Sequence, residues 1–198
     1  MPLGFPNWSG LLGNLATFCM GRVRTSEEKE TLDACKRQIK AGKLKDAAGA
    51  LKKLLAPADY SVFLNEQFNI HKREQAATPD ARMRMERRLL HLTRAPWAGI
   101  VTTNFDDYIR TSGFDWRAHA EDPALGHILS QREPFYVKLH SGKWQTDIVL
   151  TSEDYLTAYI KGQKTPMLPR FLDALMLSYP LVFIGSPSST RFWKSGRI

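Results

Sequence analysis

The sequence predicts an α/β layered fold, with a mostly parallel sheet and an inserted helical subdomain. Three observations predict it. After Trp97 come four short apolar, β-branched runs: "AGIVT", "FYVKL" (Phe135 to Leu139), "DIVL" (Asp147 to Leu150) and "LVFIG" (Leu181 to Gly185). Each has the length and composition of a buried parallel strand. Helical patterns stand between or beside them ("DDYIR", "SEDYLTAYI" from Ser152, "PRFLDALMLSY" from Pro169), and such alternation builds layered α/β folds. Before them, from about Glu27 to Thr93, apolar residues recur at helical spacing only. This divides the chain into a helical insertion over 27–93, an α/β core over 94–186 and an irregular tail over 187–198.

Taken in order, the first helix starts at Ser9, with Leu11, Leu12, Leu15, Phe18 and Cys19 on one face. In the next, Thr25 and Glu28 have capping-box spacing. Leu32, Cys35 and Ile39 mark its apolar stripe, and Gly42 suits its exit. A third helix carries Leu44, Ala47, Leu51, Leu54 and Leu55 and stops at Pro57. "DYSVFLNEQF" reads as a short helix. Thr78 and Pro79 open another, containing Met83, Leu89, Leu90 and Leu92. No repeat of fixed period and no low-complexity tract interrupts the chain.

Composition narrows the class. The 198 residues are 43% hydrophobic and 24% charged, as in globular domains. No apolar run approaches the roughly 18 residues of a membrane span, so no membrane partner is expected. "MPLGFPNWSG" lacks the basic and apolar regions of a secretory signal. Cys19 and Cys35 are the only cysteines; they predict neither a disulfide framework nor a four-cysteine zinc site, and a cytoplasmic setting fits. The net charge of +8 lies largely in "KRQIKAGKLK" and "RMRMERRLL". These read either as solvated helix faces or as contacts to a phosphate-rich or acidic partner, nucleic acid included.

In open parallel sheets, ligands sit outside the carboxyl ends of the strands. The residues there are Thr102, Thr103, Asn104 and Asp106 after the first strand, His140, Ser141 and Gly142 after the second, and Ser186 after the last. His140 alone among them titrates near neutrality. "TTNFDD" equally reads as a helix start capped by Thr103 or Asn104, and His140 as a histidine bonded to a carbonyl at a strand end. The remaining histidines (His71, His91, His119, His127) have no metal-ligand spacing.

"VTTNFDDYI", "YVKLHSG" and "LVFIGS", in this order, resemble the sirtuin-like NAD-binding superfamily. "GFPNWSGLL" is similar to the segment just after that family's glycine-rich loop. The resemblance covers nearly the whole chain and implies a Rossmann-like sheet. Sirtuin deacylases carry a four-cysteine zinc ribbon that this chain lacks, and Asn7 and Trp8 stand where they have an Asp-Phe pair. "KLHSG" running directly into "KWQTDIVLTSEDY" is similar to the zinc-free branch, whose members hydrolyse NAD and often serve as bacterial anti-phage (antiviral defence) effectors.

The resemblance implies that NAD is the substrate, with no metal, and that the nicotinamide–ribose bond is cleaved to nicotinamide and ADP-ribose. Asn104 would hold the ribose hydroxyls or orient water, and His140 would be the general base, a role suited to an unperturbed histidine pKa of about 6.5. Pro6 and Trp8 would wall the nicotinamide pocket. Thr103 and Asp106 would lie along the sugar, with Asp106 alternatively a capping carboxylate, and Gly185 and Ser186 would meet the adenosine half. Tyr155 would pack beneath the site. A homo-oligomer or a gating partner domain would control activity.

The chain departs from its family at both ends. Met1 falls where the glycine-rich loop should be ending, and "PSSTRFWKSGRI" replaces the usual turn after "FIGS", so the sequence reads as shortened at both ends. "HSG" inverts the usual Gly-Ser order at Ser141 and Gly142, where glycine placement matters. The alternatives are a non-catalytic module binding NAD, ADP-ribose or nucleic acid, a remnant without function, and a deacylase. The enzyme reading requires Asn104 and His140 to converge from neighbouring strands on one hollow large enough for a ribose, without burial in apolar packing.

Overall fold

The computed structural model describes residues 4–109, 116–119, 123–126, 128, 134–140, 148–159 and 167–184. Helix α1 (Trp8–Met20) opens with Asn7, whose side-chain oxygen accepts the Gly10 N–H at 2.8 Å. The residue that departs from the deacylase pattern thus acts locally, satisfying an orphan donor of the first turn. Helix α2 (Ser26–Lys40) carries the complete Thr25/Glu28 capping box. Gly42 then turns the chain with φ +75°, a left-handed conformation that a side chain would strain.

Helices α3 (Leu44–Lys53) and α4 (Pro57–Gln67) follow; Pro57 serves as the first residue of α4 rather than only as a stop. Helix α5 (Ile70–Ala76), capped by Asn69, has no counterpart in the sequence reading. Helix α6 (Pro79–Arg94) starts on Thr78 and Pro79 as the sequence predicts. Among its residues only Ala81 is buried, so Met83 and Leu90 lie at the surface rather than in the core.

The sheet has three described strands: β1 (Gly99–Thr102), β2 (Trp116–His119) and β3 (Phe135–Lys138). Their order is β1-β3-β2 and every pairing is parallel, with Thr102 opposite Lys138. β2 falls on "WRAH", which carries no apolar run and escaped the sequence reading. Gly99 faces Phe135 in register, and a Cβ there would overlap the Phe135 ring. A short 3-10 helix (Pro123–Gly126) and helices α7 (Ser152–Tyr159) and α8 (Met167–Ser178) complete the described elements.

Two expected strands are corrected. In "DIVL", Ile148 makes only a single bridge; Ile148, Val149 and Leu150 are buried without extending a strand, and Asp147 lies outside the described residues. "LVFIG" fails more completely. Leu181 to Ile184 form no strand, and Val182, Phe183 and Ile184 are about two-thirds exposed (65%, 65% and 68%). Apolar β-branched composition suits a buried strand but does not supply a neighbour to pair with. The helix expected at "DDYIR" is also corrected: Asp106 to Tyr108 form an irregular turn held by the Asp106 side chain, Ile109 stands in a 3-10 turn, and Arg110 lies outside the described residues.

The resulting architecture is mostly helical with a small parallel sheet. Along β3, side chains alternate between two faces. Phe135 and Val137 join a cluster with Leu168, Phe171 and Leu175 of α8. Tyr136 and Lys138 point the other way. A larger cluster unites α1 to α4 with Tyr108, Ile148 and Leu150, so the helical block packs on the loops that follow the strands.

Candidate functional site

The carboxyl ends of β1 and β3 lie side by side because Thr102 pairs with Lys138. The chain after β1 is held by local hydrogen bonds. Thr102 Oγ1 accepts the Asn104 N–H at 3.1 Å, and Asp106 Oδ1 accepts the Tyr108 N–H at 3.1 Å. Small polar side chains that bond their own backbone favour such turns over a continuing strand. Thr103 and Asn104 are thereby left exposed.

Lys138 anchors this turn from the neighbouring strand. Its ammonium donates to the Phe105 carbonyl at 2.7 Å and pairs with Asp107 Oδ1 at 2.8 Å, and both side chains are largely buried. A buried cation is tolerated only when its donors are satisfied. Sequence reasoning assigned Lys138 no role, although a lysine inside the apolar run "FYVKL" was the signal available.

Asp106 sits beside this pair. Burial raises its carboxyl pKa, against the lowering effects of the Tyr108 N–H and of Lys138.

His140 follows β3 by two residues and is 6% exposed. Its carbonyl accepts the Val149 N–H at 3.0 Å. Aromatic rings enclose the imidazole: Tyr155 edge-on at 5.1 Å, Tyr159 at 6.1 Å and Phe105 at 6.5 Å between centroids. Burial, together with the Lys45 ammonium, pushes its pKa down to about 4. The expectation of an ordinary histidine pKa is therefore corrected: the imidazole is neutral at physiological pH because a cation there would be desolvated and repelled. Burial among aromatic rings also departs from the open hollow that the sequence reading required around His140.

Tyr155 links His140 to an open hollow. Its ring stacks on Trp8 at 6.3 Å and lies 4.0 Å beneath the Lys45 ammonium. The hollow, about 360 Å³, is lined by Trp8, residues 42–46 and Ser152. The Trp8 indole N–H is buried with no hydrogen-bond partner among the described residues. Burial raises the Tyr155 phenol to about 12 and the Tyr159 phenol further, so both rings stay neutral.

Helix α7 is fixed by a cap and a tether. Thr151 Oγ1 accepts the Asp154 N–H at 3.1 Å, and Asp154 Oδ2 accepts the Thr151 N–H at 2.8 Å. Lys52 of α3 pairs with the other Asp154 oxygen at 3.1 Å. These bonds lower the Asp154 pKa against its burial, and they set Tyr155, the next residue, against His140.

The structure thus brings Asn104, Asp106 and His140 to one edge, with Trp8 in contact through Tyr155. Pro6 is half-buried just before α1, and among the described residues no hydrogen bond or ring contact ties it to that edge. Ser141, Gly142, Gly185 and Ser186 lie outside the described residues. Among the described residues there is no cluster of three or more His, Cys, Asp or Glu suited to a metal ion, and no helix is long and apolar enough to cross a membrane.

Residues 98–189 match the family model of the SIR2-like domain. The match begins one residue before β1, spans both strand ends, His140 and Tyr155, and supports kinship with the sirtuin-like superfamily and an NAD-related function in general. Trp8 and helices α1 to α6 precede it. No curated protein matches the chain, and no solved structure does.

Proposed function

We propose that this chain is the core of an NAD hydrolase that cleaves the nicotinamide–ribose bond. The observation that carries the reading is the placement of Asn104 and His140 at the carboxyl ends of neighbouring parallel strands, inside the SIR2-like stretch; His140 is enclosed there by aromatic rings, so its contact with a ribose requires Tyr155 and Tyr159 to part. This is the edge at which α/β sheets take their ligands. The sheet would be the Rossmann-like core over 94–186, with 27–93 as its helical insertion and 187–198 as its tail.

These residues would serve one half of the dinucleotide. The hollow beside Trp8 has the volume of a small-molecule subsite. Asn104, exposed above the turn, would hold ribose hydroxyls and remove the entropy cost of orienting them. Thr103 and Asp106 would flank the sugar, and Gly185 and Ser186 would serve the adenosine half.

Breaking the N-glycosidic bond develops positive charge at the anomeric carbon. A neutral imidazole opposes that charge less than an imidazolium would, so the depressed His140 pKa suits the reaction electrostatically while making the residue a weaker base. Tyr155 and Tyr159 would fix the ring plane. An effector role in anti-phage defence in bacterial cytoplasm, gated by oligomerisation or a partner domain, follows the zinc-free branch that the motifs resemble.

Nicotinamide release from NAD by the full-length protein tests the proposal. His140→Ala and Asn104→Ala should each lower the rate at least about a hundredfold, the usual scale of a lost acid–base or positioning group. The wild-type rate should stay flat from about pH 8 to pH 5, because the base is already deprotonated there. Equal turnover by His140→Ala overturns the assignment of the base. Calorimetric binding of NAD or ADP-ribose without any nicotinamide release favours a non-catalytic module instead.

A further inference from the structure

We propose that the outward face of α6 is a docking surface for a nucleic-acid backbone. Residues on a helix are spaced by about 100°. Ala81, Met85 and Leu89 therefore form one stripe, and it is this stripe that packs inward. Arg84, Arg87, Arg88 and Arg94 fall within an arc of about 120° on another side of the helix. All four are exposed, as is His91 between them.

None of these guanidinium groups forms an ion pair among the described residues. Arg22, Lys36, Lys52 and Lys138 do pair, with Asp59, Asp33, Asp154 and Asp107; what distinguishes α6 from the other unpaired cations is that its arginines gather on one face of one helix. The carboxylates of α6 are Asp80 and Glu86. Asp80 lies in the first turn, one turn before Arg84, and Glu86 lies on the side of the helix toward Tyr108, whose phenol it acts on. The stripe is thus a run of positive charge with no internal counter-charge along most of its length.

Charge and geometry select the occupant. From Arg84 to Arg94 the helix rises about 15 Å, while a nucleic-acid strand presents a phosphate about every 3.4 Å of axis. Guanidinium groups bind phosphate oxygens bidentately and keep their charge at all relevant pH. A lipid surface would need the apolar stripe of the helix, and that stripe is already packed against the core. Only Met83 and Leu90 remain exposed beside the arginines. A polyanionic backbone, read without base specificity, matches the four guanidinium groups of this face.

The test is fluorescence anisotropy of the full chain with a labelled single strand and a labelled duplex across salt. Four phosphate contacts on a single strand predict a loss of about 50-fold in affinity between about 50 and about 200 mM salt. Arg84→Glu with Arg87→Glu should weaken binding at least about tenfold at about 100 mM and flatten the salt slope by about 1.4. Lys29→Glu with Lys40→Glu on α2 makes the same change in net charge and should leave the affinity within about threefold. Because the arginines are exposed, the variants should melt as the wild type does; Arg84→Gln with Arg87→Gln repeats the readout with a smaller charge change.

Equal weakening by the α2 pair overturns the proposal in favour of bulk charge, and absence of salt-dependent binding overturns it outright. Tighter capture by anionic lipid vesicles than by either nucleic acid, lost on Met83→Ser with Leu90→Ser, assigns the face to membranes instead. None of these outcomes touches the NAD reading, which uses no residue of α6.

Discussion

In the helical block, Leu12, Leu15, Leu51 and Leu64 are wholly buried, and the surfaces around them are charged. At the carboxyl edge of the sheet, a lysine and an imidazole are buried beside half-buried tyrosine rings, and β1 is only half-buried along its length. The block buries groups that gain from leaving water. The edge buries groups that must each be compensated, by Asp107 and a carbonyl for Lys138 and by the loss of a proton for His140. Most of the stability therefore resides in the first region, while the second holds its buried polar groups only through specific compensation.

The most severe way to test that division is Phe63→Ala. Phe63 is 1% exposed and packs against Phe18 at 5.3 Å. Its truncation should cost about 4 kcal/mol, read as a lower urea midpoint at unchanged slope. A loss of less than about 1 kcal/mol would mean that the helical core is not where the stability lies.

A second experiment moves to the edge. A histidine with a depressed folded pKa leaves the unfolded chain to bind the extra proton, so stability is complete above about pH 6.5 and falls as the pH drops toward 4. The full loss should be about 3 kcal/mol. Asp106, whose carboxyl is raised, works in the opposite direction. The His140 contribution is therefore the difference between wild-type and His140→Gln denaturation curves at several pH values. Parallel curves would place the imidazole in contact with solvent.

The mildest test returns to the block's surface. Thr25→Ala removes one partner of the α2 capping box and should cost about 1 kcal/mol, seen as a small drop in melting temperature. An effect as large as that of Phe63→Ala would erase the distinction between exposed caps and buried packing.

The elements legible from sequence are those specified by neighbours along the chain. Thr25 with Glu28, Thr78 with Pro79, and the 3.6-residue stripes of α1 to α3 need nothing distant to be read correctly. Helix α5 escaped because seven residues carry too little periodicity, and β2 because "WRAH" owes its strand to β3 beside it. "LVFIG" failed for the same reason in reverse: it has the composition of a strand, yet the described sheet runs β1-β3-β2 without it.

The candidate site divides the same way. Asn104 and His140 could be picked out as strand-terminal residues, since parallel strands deliver their ends to one edge. The Lys138–Asp107 pair spans 31 positions and the Lys52–Asp154 pair 102, and neither leaves a mark in local pattern. The sequence by itself determined most of the helices, the caps at Thr25 and Thr78 and the residues available at the strand ends, because backbone hydrogen bonding and apolar period act over a few residues. Only the tertiary structure decided which strands exist, that His140 is enclosed by Tyr155 and Tyr159, and that its proton is lost near pH 4. Pairing, burial and electrostatic environment depend on groups that become neighbours only when the chain folds.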